Sequence, residues 1–494
     1  MKSYLFIFLG LFFLQDSIIG EDKPNVLFIA IDDMNDWTGF LGGHPQAITP
    51  NMDALARKGV NFTNAHCSAP GCSPSRNSLL FGKEPFHSGL YCFYDGEESN
   101  KKLVSQYTTL PEFFKTNGFN TYGSGKIHHG QKEAPEKEWT QFHSPQKHKL
   151  EIDFSRGIQG RKGKYNCAPT TSPLENHLDF KNTTFGVEIL SKEHDKPFFL
   201  AVGIINPHLP FVCPEQFWDA LPEPIDPPER HEEDLRDIPW AGRDFLNLGE
   251  VAKYNANKQW NTVRKAYLGC ISWADYNVGR LIKALEKSPY ANNTIVVLWS
   301  DHGYHLGEKT TFKKFTLWEE STRVPFIIYD TRAPKSLSGR KIEEAVSLIN
   351  IYKTLADLSG LPIPENLDGY SLKPYLEDPS KTILKPAITS WGRGNYAVRS
   401  KDWRYIKYFD GTEELYSHKQ DPNEWTNLAK NPELEPVKQK LRESLPNHES
   451  ASVPNWALWS SVGADKEDSG FKILKRDWKK SAKRFNPPLP QKVQ

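Results

Sequence analysis

The chain has 494 residues, 62 Lys+Arg against 61 Asp+Glu, a formal net charge of +1 and six cysteines. A nucleic-acid binder usually carries a basic excess, so this balance disfavours that partner class. Six cysteines in so long a chain do not make a disulfide framework, and the length suits one large domain with a smaller one.

The chain opens MKSYLFIFLGLFFLQDSIIGEDKPN: one lysine, an apolar run through Leu14, then the small residues Ser17 and Gly20 before an acidic start. That is the pattern of a secretory signal over residues 1–20. The run is shorter than the roughly 20 residues a bilayer span needs, and no later stretch is long and apolar enough to supply a membrane span. An exported, soluble protein beginning near Glu21, periplasmic or secreted, is expected. Export permits one or two disulfides, and Cys167 with Cys213 is the expected pair.

Strands alternate with helices from there on. Asn25–Ile31 (NVLFIAI) is continuously apolar, as a strand buried on both faces must be. TPNMDALARKG then reads as a helix, with Thr49 as cap, Pro50 in the first turn and Gly59 at the end. Leu110–Asn117 reads as a short helix closed by Gly118, ahead of the strand FNTYG. PFFLAVGII (Pro197–Ile205), TIVVLW (Thr294–Trp299) and VPFIIY (Val324–Tyr329) read as further strands. Val263–Lys287 is one long amphipathic helix, its buried stripe running from Val263 through Tyr267, Cys270 and Ala274 to Leu285.

The residues just past the strand ends carry the chemistry. Asp32 and Asp33 stand after the first strand, Lys126 and His128 after FNTYG, His208 after PFFLAVGII, and Asp301 and His302 after TIVVLW. Ligand sites of open α/β sheets form outside the carboxyl ends of strands, so four strands deliver acids, histidines and a lysine to one edge. Asp32, Asp33 and Asp301 are hard oxygen donors suited to Ca²⁺ or Mg²⁺; His302 is either a fourth ligand or a contact to a substrate oxygen. Arg76, Lys126 and Lys314 add positive charge, which suits an oxyanion such as sulfate or phosphate. Lys314 abuts the apolar-aromatic FTLW, whereas Lys313 reads as a solvated face.

Residues 72–82, CSPSRNSLLFG, resemble the C-x-P-S-R-x-x-L-L-x-G signature of type I sulfatases, with Phe81 where the family usually has Thr. NVLFIAIDDM, GSGKIHH, SDHGYHLGE and KFTLWEESTRVPF resemble the family's other site segments, and ELYSHKQDPNEWTNLA its C-terminal pattern. The likeness spans about residues 24–430. NPHLPF and DDMNDW most resemble the iduronate-2-sulfatase-like branch, with Asn206 in place of the lysine of its K-P-H segment.

The resemblance implies an alkaline-phosphatase-like α/β fold: a large mixed, mostly parallel sheet flanked by helices, over residues 21–380. A smaller C-terminal α+β domain with an antiparallel sheet would occupy 381–494 and include a basic, proline-ended tail. It implies that a formylglycine-generating maturation enzyme oxidises Cys72, placed at a strand-edge turn, to formylglycine. Hydrated, that residue would be held on one Ca²⁺ (Mg²⁺ is the alternative) by Asp32, Asp33, Asp301 and His302. Lys126 and Lys314 would hold sulfate oxygens and Arg76 orient the hydrate; His208 would protonate the leaving sugar oxygen, and His128 would take the second hydroxyl's proton. The implied substrate is a sulfated oligo- or polysaccharide, with a 2-O-sulfate as first choice. Trp391, Arg393 and Tyr396 either read the sugar or pack between domains. Two other classes stay open: a phosphonate or phosphodiester hydrolase of the same superfamily, and a catalytically silent carbohydrate-binding relative.

Overall fold

All seven residues of the strand Asn25–Ile31 are buried, which requires a neighbour on each side and a packed layer on each face. The computed structural model describes residues 23–93, 105–129, 135–383 and 385–451; the expected signal segment and basic tail lie outside them. In it an eight-stranded sheet runs in the order Lys341–Ile342, Val60–Phe62, Phe326–Asp330, Thr294–Ser300, Asn25–Ile31, Phe198–Ile204, Asn120–Gly125, Gln141–His143. Phe326–Asp330 is antiparallel to both its neighbours, and the other strands run parallel.

Side chains alternate across a strand, so the central strand feeds two cores. Leu27, Ile29 and Ile31 face the layer built on the helix Trp260–Lys287. Val26, Phe28 and Ala30 face Leu79, Leu80, Phe113, Phe114, Ile351 and Leu355 from three shorter helices. The stripe of the long helix, Val263 through Leu285, is buried as its spacing predicts; each fully buried aliphatic of this kind contributes about 1.5–3 kcal/mol.

Three local expectations change. Thr49 stands at the cap position of the helix Pro50–Lys58 but makes no capping bond. Its hydroxyl is engaged by Gly39 N and Asp53 Oδ1, and Asp275 of the long helix accepts the first-turn amides of Asn51 and Met52 at 3.2 and 2.7 Å. Cys167 and Cys213 are free thiols. Their strands pair with Cys167 opposite Phe211 and Cys213 opposite Pro169, a register that does not face one cysteine with the other. Cys72 begins a ten-residue helix, Cys72–Phe81, buried at every position, rather than a strand-edge turn.

The C-terminal domain carries a four-stranded antiparallel sheet of Ala387–Ser390, Tyr396–Arg399, Trp403–Lys407 and Glu413–Ser417. It docks beside the Cys72 helix through Ser390 N, which donates to Ser68 O at 2.9 Å. Arg404, fully buried, joins Glu319 to Glu424 across the same seam. Of the residues that either read sugar or pack, Trp391 and Tyr396 are 0% and 2% exposed and pack in that seam, and Arg393 pairs with Glu449 at 3.4 Å. Among the described residues no helix is long and apolar enough to cross a membrane.

Candidate active site

The four strands whose ends carry the expected residues are consecutive in the sheet, in the order Thr294–Ser300, Asn25–Ile31, Phe198–Ile204, Asn120–Gly125, and all parallel. Their carboxyl ends therefore open at one edge, and the Cys72 helix points its first turn into it.

Cys72 Sγ lies 3.2 Å from His302 Nε2, 3.3 Å from Lys314 Nζ and 3.6 Å from Asp33 Oδ1. Burial works to raise its thiol, but Lys126 and Lys314 outweigh burial and hold it well below the ordinary value. Gly71 precedes it in extended conformation, and Gly82 ends the helix in the left-handed region at φ 61°. A Cβ at Gly82 would meet Leu367 Cδ2 at 2.6 Å, so a larger residue there would have to displace Leu367 as well as adopt a left-handed backbone.

Arg76, one turn along, is completely buried. Its Nε donates to Asp301 Oδ2 at 2.8 Å, and Nη2 lies 3.3 Å from Asp32 Oδ1. Its Nη1 donates to the carbonyls of Lys126 and Ile127, and the guanidinium lies 5.6 Å from the Trp299 ring centroid. The planar fork thus ties three strand ends together. Lys126 Nζ completes the pairing of Asp32 at 2.6 Å, and Lys314 Nζ pairs with Asp33 Oδ1 at 2.5 Å. Burial would raise the Asp32 carboxyl, yet Lys126, His208 and Arg76 overcome it and hold it well below the usual range. For Asp301 burial wins, and its carboxyl rises to about 6.

The cation-binding potential rests on the donors. One atom each from Asp33, Cys72, Asp301 and His302 lie within 4.8 Å of one another, as do atoms of Asp32, Asp33, Cys72 and His208. His302 Nδ1 faces the Gly303 carbonyl at 2.9 Å, to which it can donate, leaving Nε2 toward Asp33 Oδ1 at 3.2 Å and Asp301 Oδ1 at 3.6 Å. That is the orientation a metal-ligating histidine takes. Three carboxylates and one imidazole fit a hard divalent cation.

His208 sits at the rim, Nε2 3.9 Å from Asp33 Oδ2 and Nδ1 2.6 Å from Leu209 O. Burial lowers its pKa, but Asp33 and Asp32 more than offset this and raise it above the ordinary value. His128 Nε2 lies 3.0 Å from Oε2 of buried Glu138, which orients the ring. Lys313 is half-buried rather than solvated, donating to Tyr165 OH at 2.7 Å.

Several supporting contacts gave no sequence signal. Asp33 holds a left-handed φ of 62°; its amide donates to Asp301 Oδ1 at 3.0 Å and its carbonyl accepts from Tyr267 OH at 2.8 Å. Asp179 accepts from the amides of Ile205 and Asn206 at 2.7 and 3.0 Å and so fixes the loop to His208. Tyr267 looks like any other stripe position of its helix, and Asp179 like a helix-start acid. Only Ser75, whose hydroxyl donates to Asp301 O at 2.5 Å, lies inside the cysteine-headed motif.

A cysteine-headed buried helix aimed at carboxylates, lysines and histidines along one edge of this sheet is the arrangement of a sulfatase. The family model described as Sulfatase matches residues 24–361, and that for the C-terminal part of N-sulphoglucosamine sulphohydrolase matches 307–451. The chain belongs to the type I sulfatase family and is a sulfuric ester hydrolase. It is similar to a sulfatase of Formosa agariphila, 37% identical over 478 residues that cover 90% of this chain and 92% of the relative. Mouse iduronate 2-sulfatase is 30% identical over 487 residues, covering 80% and 86%. Among solved structures, a 2-O GAG sulfatase superposes with a TM-score of 0.68 at 22% identity, covering 90% of this chain and 96% of that one.

Proposed function

We propose that this sulfatase removes sulfate esters, 2-O-sulfates first, from sulfated oligosaccharides outside the cytoplasm, using Cys72 converted to formylglycine and one Ca²⁺. The observation that carries the reading is the position of Cys72 Sγ, within 3.6 Å of His302, Lys314 and Asp33 together. The carbohydrate substrate is supported by the relatives, one named iduronate 2-sulfatase and one titled a 2-O GAG sulfatase.

Hydrated formylglycine supplies two hydroxyls on one carbon, one to attack sulfur and one whose deprotonation lets sulfate leave; a serine has no second hydroxyl to finish that cycle. A bound cation, held by Asp32, Asp33, Asp301 and His302, would add positive charge beside the attacked group.

The chain's own residues do the rest. Lys126 and Lys314, whose pKa values the surrounding carboxylates raise against the effect of burial, keep their charge and hold sulfate oxygens. Arg76 fixes Asp32 and Asp301 so that neither needs to move during turnover. With Nδ1 directed to Leu209 O, His208 offers Nε2 to the departing sugar oxygen, which is a poor leaving group unless protonated. His128 accepts the proton of the second hydroxyl.

The test uses protein made with an active maturase. The peptide spanning Cys72 should weigh about 18 Da less than its cysteine form, since thiol becomes aldehyde, and the protein should release sulfate from sulfated disaccharides. Unmodified cysteine in fully active protein would defeat the formylglycine reading. Turnover of an aryl phosphonate exceeding that of the matching sulfate would point to the phosphonate hydrolase class instead.

A further inference from the structure

The segment that carries Lys314 is strained on both sides of it. Lys313 and Phe315 have φ of 81° and 79°, a left-handed conformation that is a genuine outlier for a bulky aromatic residue. Such strain persists only where the surroundings impose it, and it gathers at functional sites. Here Phe315 N donates to Pro70 O at 3.1 Å, tying the segment to the residues just before Cys72.

The strain places the ring at the margin of the cluster that holds Cys72 and Trp391. Phe315 stacks on Trp391 with centroids 5.1 Å apart and planes at 21°, and meets Phe93 edge-on at 5.9 Å. Trp391 and Phe93 are 0% and 8% exposed, while Phe315 is left half-buried. Lys314 Nζ lies 5.8 Å from the Phe315 ring centroid. A Cβ built on Gly71 would lie 3.4 Å from Phe315 Cε1 and 3.0 Å from Trp391. The ring therefore stands against Gly71, the residue before Cys72, and 5.8 Å from the ammonium proposed to hold sulfate.

We propose that Phe315 is a substrate-binding residue: the ring of this half-buried residue is the platform on which the apolar face of the sulfated sugar packs. The inference rests on the carbohydrate reading above. An aromatic face is electronegative and meets the weakly positive C–H groups of a pyranose. Trp391, a sequence candidate for reading sugar, serves from beneath by supporting that ring.

The test compares Phe315→Leu and Phe315→Tyr with wild type, each in its matured, Ca²⁺-loaded form and checked for an unchanged thermal midpoint. The substrate is whichever of a panel of sulfated disaccharides the wild type hydrolyses fastest, and inorganic sulfate serves as inhibitor. For Phe315→Leu, kcat/KM on the disaccharide should fall about tenfold, while the inhibition constant for inorganic sulfate stays within about twofold of wild type. Phe315→Tyr, which keeps the ring, should retain kcat/KM within about threefold. Parallel changes in both readouts would assign Phe315 to holding Lys314 and overturn the platform, as would no change in either. A wild type that hydrolyses an aryl sulfate but no disaccharide would overturn the carbohydrate reading and the platform with it.

Discussion

Replacing Arg76 with Met keeps the length and apolar stem of the side chain and deletes a charge shared by two buried carboxylates. The consequences for the two acids differ. Asp32 keeps Lys126 at 2.6 Å, so it retains a direct cation. Asp301 loses the contact at 2.8 Å and is left with His302 at 3.6 Å as the remaining cationic partner among the described residues. Breaking a buried pair from one side costs about 3–5 kcal/mol, because the other charge stays desolvated. We expect a loss in that range for metal-free protein at pH 7.5, followed by urea unfolding with tryptophan fluorescence and circular dichroism in parallel. The decisive measurement is a double-mutant cycle. If Asp301 is the stranded charge, adding Asp301→Asn to Arg76→Met should cost nothing further or restore stability, a strongly non-additive result. A single-mutant loss below about 1 kcal/mol, or an additive cycle, would refute the claim that this pair holds the strand ends together.

Two further predictions concern residues outside the expected set. Burial outweighs the donated amides of Ile205 and Asn206 and lifts the Asp179 carboxyl to about 6, so the folded chain holds its proton more tightly than the unfolded one. The resulting stabilisation is complete below about pH 4 and is lost as pH rises to about 6. Wild type should therefore lose about 3 kcal/mol relative to Asp179→Asn across that window, and parallel stability curves by urea titration would contradict the assignment. Gly203 has Lys126 backbone atoms 2.3 Å from where a Cβ would sit, so Gly203→Ala must push the Lys126 strand away. It should destabilise by about 1–3 kcal/mol and weaken inhibition by inorganic sulfate; sulfate affinity equal to wild type would show that Lys126 does not need this approach.

Most of the elements and the candidate residues of the site can be read from the amino-acid sequence alone. Continuous apolar runs such as NVLFIAI and TIVVLW, short and rich in β-branched residues, read as strands buried on both faces, and the stripe from Val263 to Leu285 reads as a long packed helix. Acids and basic residues placed after four such strands are local facts, because a strand's carboxyl end is fixed wherever the strand goes. Which strands are neighbours is a matter of the folded chain, and so is the opening of Asp32, Asp301, Lys126 and His208 on one edge. The same holds for the supporting contacts. Tyr267 reaches Asp33 across 234 positions and Asp275 caps the helix at Asn51 across 224, contacts that no periodicity encodes. The positive φ of Phe315 and the burial of Trp391 beneath it belong to the same class. Each depends on two distant segments meeting, and a residue's type fixes what it can bond to but not which partner the folded chain brings within reach.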